Sequence, residues 1–319
     1  MNYLTSRRLL LIAAPLALLV IVVGAFTRLS DAGLGCPDWP GCYGQLIGTP
    51  DAQTAAEHSP AWPLDEKKAR IEIAHRYVAA LLGLLIFAAA ALSYRHRPRP
   101  YAPWLLAVFV LAQGLLGMLT VTERLRPVVV SAHLLGGMLI IATIAFALSS
   151  RPLPHRPAIT LKVAAVLAAM VLAGQIFLGG WVSTNYAALA CPDFPLCQNR
   201  WLPPHWDWSG FNLSRALHQN VDGTPISAAA LMTIHWAHRV GAVVAALVLG
   251  VLAVFLWREK LRAMAVALLF LLAAQWVLGM LNVLAALPLW SALAHNAVAA
   301  LLAAKMGLLM AKLFHPPRR

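Results

Sequence analysis

The sequence predicts an all-α integral membrane protein, with eight transmembrane helices forming two four-helix bundles related as a parallel repeat. Three observations carry that reading. Apolar residues make up 61% of the chain against 12% charged, with a mean hydropathy of +0.72, well above the balance of a soluble domain. Eight apolar stretches are each long enough to cross a bilayer core as a helix. The second half of the chain also echoes the first, down to a seven-residue loop motif that holds all four cysteines.

Taken in order, the first span (9–26) follows Arg7 and Arg8 as a secretory signal would. No small-residue cleavage site comes after it and Thr27, Arg28 and Leu29 run straight on, so it is expected to stay as an anchor. It opens into a long loop, about 29–70, with the first cysteine motif. The second span (77–93) ends at Arg95, Arg97 and Arg99, and the third (103–121) at a short loop with Arg124 and Arg126. The fourth (128–148) leads to Arg151, Arg156 and Lys162, and the fifth (161–183) to a second long loop, about 184–227, with the second motif. The sixth (228–257) runs to Arg258, Lys260 and Arg262. The seventh (263–284) and eighth (289–314) complete the set, ending near Lys312, Arg318 and Arg319.

Eight spans put both termini on one side, and that side collects the basic residues. The positive-inside rule makes it the cytoplasm of a bacterial plasma (inner) membrane, with the cysteine loops on the periplasmic or external face. Acidic residues agree, since of the twelve only Glu259 falls inside. The net charge of +13 is therefore a topology signal, with attraction to anionic lipid headgroups. It is not a nucleic-acid footprint, because no soluble domain carries a basic face.

The repeat is legible segment by segment. VGAFT at 23–27 is echoed by LGGWV at 178–182, and CPDWPGC at 36–42 by CPDFPLC at 191–197. AHRYVAALLG at 74–83 answers AHRVGAVVAA at 237–246, and QGLLGMLTV at 113–121 answers QWVLGMLNV at 275–283. Four helices per copy is an even number, so both copies cross the membrane in the same sense, unlike the inverted repeats of many transporters. The expected division is residues 1–150 and 151–319. Spacing within each cysteine pair permits a local disulfide, Cys36–Cys42 and Cys191–Cys197, in an oxidising compartment. Such a bridge is either a staple that stiffens a proline-containing cap or a redox-active pair serving an external thiol protein, and the residues alone leave both open.

Four histidines recur in register: His75 and His133 in the first half, His238 and His295 in the second. All sit near the outer ends of even-numbered spans. A single intramembrane histidine has a simple use as a hydrogen-bonding group between helices. Two per repeat at one depth suit a metal held between helices. Structural zinc wants further ligands such as cysteines, which here lie out in the loops. A bis-histidine haem needs two facing imidazoles and a wide apolar slot, and the small-residue-rich helices leave room for one. Arg76 and Arg239 follow His75 and His238 directly and are candidates to pair with porphyrin carboxylates.

The repeat breaks at one informative place. Three residues before His75 stands Glu72, whereas three before His238 stands His235. The spacing puts each on the same helix face as its histidine, one turn nearer the outside. A carboxylate there serves proton transfer or charge stabilisation, or else simply pairs with Lys68, Arg70 or Arg76. The asymmetry suggests that one half reacts and the other serves it.

Together these features resemble the haem A synthase family: two four-helix halves, the two cysteine loops, ExxHR at 72–76, HxxHR at 235–239, and His133 and His295. The resemblance covers nearly the whole chain. It implies oxidation of a methyl group of haem O to the formyl group of haem A, for terminal cytochrome oxidase. It further implies that His75 and His133 bracket the substrate haem O, that His238 and His295 bind a haem B cofactor, and that Glu72 is the catalytic carboxylate. Implied partners are a haem O synthase delivering substrate, cytochrome oxidase assembly components, and an external electron acceptor or thiol protein. In that family the first-loop cysteines are the pair usually noted, and this sequence carries both. Two other classes compete: a quinone-linked disulfide oxidoreductase, which would need no bis-histidine pairs, and a non-enzymatic haem carrier, which would not need Glu72.

Overall fold

A computed structural model describes residues 2–94, 101–149, 153 and 156–314. Regular structure among them is helical, with no strand. The helices are α1 (Asn2–Leu29), α2 (Ala52–His58), α3 (Glu66–Ser93), α4 (Ala102–Thr122), α5 (Pro127–Leu148), α6 (Ile159–Thr184), α7 (Ala228–Arg258), α8 (Arg262–Leu284) and α9 (Leu289–Phe314), with a 3-10 turn at Trp208–Phe211. All but α2 and the 3-10 turn are long and apolar enough to cross a membrane, giving eight spans. The all-α membrane class is thus as the sequence predicts. Arg95, Arg97, Arg99, Arg151, Arg318 and Arg319, used above for orientation, lie outside the described residues.

Span boundaries agree closely except at α1, which begins at Asn2 rather than at 9, and at α3, which begins at Glu66 rather than at 77. Its first three turns carry Glu66, Lys67, Lys68, Arg70, Glu72 and Arg76, and hydropathy alone reads so polar a stretch as loop. Capping explains the true start. Asp65 accepts a hydrogen bond from the Lys68 N–H (3.1 Å) and Glu66 follows in the first turn, which complements the helix N-terminus. In α7 Ser227 plays the same part, accepting from the Ala230 N–H (3.0 Å). The consequence is functional: Glu72 and His75 stand on rigid helix, not on a loop.

By its internal contacts the chain forms two compact units, Met1–Gly137 and Met138–Arg319, so that α5 contributes to both. In the first, α3 packs on α1 and α4, and the Ser6 hydroxyl donates to the Ala89 carbonyl (2.8 Å) to tie α1 to α3. In the second, α7 packs on α6 and α8, and α9 on α6 and α8. A methyl group at Gly307 would land on the Ala142 carbonyl, so α9 approaches the end of α5 backbone to side. Small residues permit such approach where dispersion, not water expulsion, drives helix association.

Candidate functional site

The two cysteine loops are built alike. Cys36 is bonded to Cys42 and Cys191 to Cys197, and all four are buried. Inside the first loop Asp38 accepts the N–H groups of Tyr43 (2.6 Å) and Gly44 (2.8 Å). Inside the second Asp193 accepts those of Gln198 and Asn199, both at 2.7 Å. So short a loop cannot satisfy its own backbone groups, and an aspartate supplies the missing acceptors.

Its orphan carbonyls are met from the helix below. Arg76 Nη1 donates to the carbonyls of Asp38 (3.0 Å), Pro40 (3.2 Å) and Gly41. Arg239 donates from Nη1 to Leu196 O (2.6 Å) and from Nη2 to Cys191 O (2.8 Å) and Asp193 O (2.9 Å). Both arginines are therefore spent on the loop. Each forms a latch that fastens a disulfide cap to its helix.

Glu72 and His235 complete these latches. Glu72 is buried; its Oε2 accepts the Cys36 N–H (2.9 Å) and its Oε1 the Nη2 of Arg76 (2.6 Å). Buried His235 stands in the same place, its Nδ1 3.3 Å from the Cys191 N–H and its Nε2 3.2 Å from Arg239 Nε, and a neutral imidazole accepts at one of these two nitrogens. Of the other cations near Glu72, Lys68 pairs with Asp31 and Arg70 with Glu66. One chemical difference separates the two latches: the first contains a buried ion pair, the second an imidazole.

The candidate ligands His75 and His238 lie one turn further along these helices, and His133 and His295 lie on α5 and α9. His75 (α3) and His133 (α5) are within electrostatic reach of one another, and so are His238 (α7) and His295 (α9). Each ring is seated on a glycine of a neighbouring helix. An ideal Cβ at Gly24 (α1) would stand 2.8 Å from Cε1 of His75, at Gly117 (α4) 3.3 Å from that of His133, at Gly179 (α6) 3.1 Å from that of His238, and at Gly279 (α8) 3.3 Å from that of His295. A side chain at any of the four would push the ring off its place. Among the described residues no group of three or more His, Cys, Asp and Glu forms a metal site, so any metal here rests on histidine pairs.

Three glutamines reach the same histidines. Gln113 Nε2 donates to the His133 carbonyl (2.7 Å). Gln175 Nε2 lies 3.1 Å from both Nδ1 and the carbonyl of His238, and Gln275 Nε2 lies 3.1 Å from Nε2 of His295. In the repeat register Gln175 corresponds to Val20, so His75 has no such neighbour. The Nδ1 atoms of His75, His133 and His295 are buried without a partner. Buried imidazole nitrogens lacking partners are costly unless something takes them up, and paired imidazoles from facing helices are the donor set of a six-coordinate haem iron. The residues present fit that group.

The sequence repeat contains these glycines and glutamines, but their roles were not read there. Their signal was recurrence next to the histidine segments, at 24 and 179, at 113 and 275, and at 117 and 279.

A family model described as cytochrome oxidase assembly protein (COX15-CtaA) matches residues 7–306. Over 305 residues the chain is 42% identical to a haem A synthase of Shewanella oneidensis, covering 92% of each. It is 29% identical over 211 residues to a haem A synthase of Shouchella clausii, covering 62% of this chain and 65% of that one. It is also 29% identical over 203 residues to a haem A synthase of Halalkalibacterium halodurans, covering 58% and 61% respectively.

Proposed function

The chain belongs to the COX15-CtaA family of cytochrome oxidase assembly proteins, and we infer from that membership and from its site that it is an oxidoreductase converting haem O to haem A. The observation that carries the reading is the two pairs of neighbouring histidines, each drawn from two helices, with a buried carboxylate one turn from a member of only one pair. That asymmetry supports a division of labour between residues 1–150 and 151–319. His75 and His133 hold the substrate haem O by its iron, and His238 and His295 hold a haem B that remains with the protein. When bound, that haem B supplies one-electron redox chemistry for carrying electrons away.

Methyl-to-formyl conversion adds one oxygen and, with water as its source, releases four electrons and four protons; an external electron acceptor takes the electrons, and the reacting carbon becomes electron-poor on the way. Glu72 serves it by stabilising the positive charge that develops on that carbon and by taking a proton from it. Arg76 holds one carboxylate oxygen and the Cys36 N–H the other, so the group is fixed before substrate arrives, as catalysis by preorganised charge requires. The latch of the second unit offers an imidazole at that place and no fixed negative charge. A non-enzymatic carrier has no use for that difference.

Burial of all four cysteines supports the staple over exchange with an external thiol protein, because attack on a disulfide needs access to a sulfur. With the basic residues gathered at the ends of α1, α7 and α9 away from the cysteine loops, the reading places both termini in the cytoplasm. Haem O then arrives from the enzyme class that makes it, and haem A leaves towards cytochrome oxidase assembly.

The test is a porphyrin inventory. Glu72→Gln keeps size and acceptor geometry but removes the charge. Haem should remain bound while extraction and mass analysis find unreacted haem O or a hydroxylated product. Glu72→Asp should recover part of the conversion. Normal haem A from Glu72→Gln would remove the carboxylate from the chemistry, and a purified wild-type protein without any haem would remove the whole reading.

A further inference from the structure

Immediately after each disulfide the chain displays an apolar pair. Leu46 and Ile47 follow Cys42 and are 69% and 86% exposed; Trp201 and Leu202 follow Cys197 and are 74% and 55% exposed. Neither pair is a floppy tip, because each is fastened to the ligand helix of its own unit. The Tyr77 hydroxyl of α3 donates to the Leu46 carbonyl (3.4 Å) and accepts the Gly48 N–H (2.8 Å). The Trp236 indole of α7 donates to the Trp201 carbonyl (3.3 Å). These contacts arise from different helix positions, one residue past the Arg in the first unit and three before it in the second, so the arrangement is reached twice by different residues.

What the two aromatics share is their place on the helix surface. Tyr77 heads an exposed stripe that continues through Leu81 and Leu84. Half-buried Trp236 stands at the head of another through Val240, Val243, Leu247 and Val251. Steps of three and four residues keep each stripe on one helix face, and on a membrane-spanning helix an exposed apolar face is the face that meets lipid. Each apolar pair therefore stands directly above a lipid-facing stripe, at its N-terminal end. In the second unit the aromatic surface is broader still. Trp206 packs edge-on against Trp236 (centroids 4.8 Å apart), and Trp208 stacks on Trp206 (5.9 Å).

We propose that Leu46–Ile47 and Trp201–Leu202 are interfacial wedges that dip into the lipid headgroup–acyl boundary and hold the disulfide caps at a fixed depth over the candidate ligand histidines. The partner is the bilayer. A tyrosine or tryptophan with its polar atom on a loop carbonyl and its ring over acyl chains is the usual occupant of that boundary. Irregular backbone with carbonyls to satisfy goes no deeper, because the hydrocarbon offers no hydrogen bonds. Since the latch arginines tie the same loops to the helix turn that bears His75 and His238, the depth of the wedge also fixes the caps relative to those rings. The inference rests on the membrane-spanning fold and not on the reaction.

Site-directed spin labelling tests it on the full-length protein in phosphatidylethanolamine/phosphatidylglycerol vesicles. Nitroxides are placed at Ile47→Cys and Leu202→Cys, the native cysteines being bonded to one another. Leu84→Cys serves as the lipid-facing reference and Asp222→Cys, on an exposed loop, as the aqueous one. The ratio of oxygen to nickel-chelate accessibility at both wedge positions should exceed that of Asp222→Cys several-fold and fall below that of Leu84→Cys. A ratio equal to the aqueous reference would overturn the proposal. So would labels immobilised and shielded from both reagents, which would point to a protein partner or a second copy on these pairs. Haem content plays no part in the readout, so this outcome is separate from that of the proposed reaction.

Discussion

Removing the arginine from each latch should cost the two loops very different amounts. Arg76 and Glu72 form an ion pair at 2.6 Å with side chains only 15% and 6% exposed. Arg76→Ala leaves a carboxylate buried without its counter-charge, and breaking a buried pair from one side costs about 3–5 kcal/mol. The lower figure applies here, since the freed carbonyls lie at part-buried to exposed positions of the loop and regain water. A loss of about 3 kcal/mol raises the opening constant of the loop roughly 100-fold. Arg239→Ala takes the same number of carbonyl contacts away, but its acceptor is His235, which is left without a stranded charge. Only net hydrogen-bond energy is lost there, about 1–2 kcal/mol, or roughly tenfold in opening. Hydrogen–deuterium exchange of peptides spanning the two loops, in nanodiscs under conditions where exchange follows the opening equilibrium, reads both numbers in one experiment. Adding Glu72→Gln to Arg76→Ala should bring the first loop back to about the tenfold level, because the stranded charge is gone. Equal acceleration by the two arginine variants, or no rescue by Glu72→Gln, would refute the assignment of the difference to buried charge.

Three other outcomes follow from the same geometry. His238→Ala or His295→Ala should lower the haem B retained on purification, whereas His75→Ala or His133→Ala should leave haem B largely in place and abolish product; equal loss from both pairs would end the division of labour. Gly24→Ala puts a methyl 2.8 Å from Cε1 of His75, about 0.7 Å inside ordinary contact, which exceeds the roughly 0.5 Å tolerance of a working site. Conversion of haem O should fall sharply, while Gly114→Ala, with nothing within 4 Å of the added Cβ, should behave as wild type. Hydrogen bonds from the hydroxyls of Ser209 and Ser227 hold the Asp207 carboxyl below its ordinary value. The folded chain thus binds that proton less readily than the unfolded one, so the stabilisation is complete above the ordinary aspartate range and drains away as pH falls through the lower folded value. Asp207→Asn should flatten the acid limb of a melting-temperature profile and leave neutral pH less affected.

Spans and the paired histidines were legible because both are written in one-dimensional patterns. Apolar length marks a bilayer crossing, and a repeat doubles every signal, so His75 and His133 are seen again in His238 and His295. The start of α3 was not legible, because a helix that projects beyond the hydrocarbon carries charge on its surface and loses its hydropathy signature. The role of Arg76 was missed for a related reason. Its acceptors are the carbonyls of residues 38, 40 and 41, and backbone groups leave no trace in side-chain chemistry. The glycines under the rings were hidden too, since a small residue in a membrane helix reports only close approach, not what approaches.

The geometry sharpens the one asymmetry that the sequence exposed. Had Glu72 stood free in the first unit and His235 been latched in the second, the carboxylate could be explained as a residue left over from a broken staple. Instead both stand between the N–H of the first cysteine and an arginine four residues on, the carboxylate accepting from both and the neutral imidazole from one. The mechanical task is therefore common to the two units, and an imidazole performs it adequately. What a carboxylate adds is charge, held in a buried place where an ion pair gives little net stability over neutral groups. Stability does not account for choosing it on one side only. A reaction that develops positive charge on one of two otherwise matched sites does, which supports the proposal that the chemistry takes place beside His75 and His133.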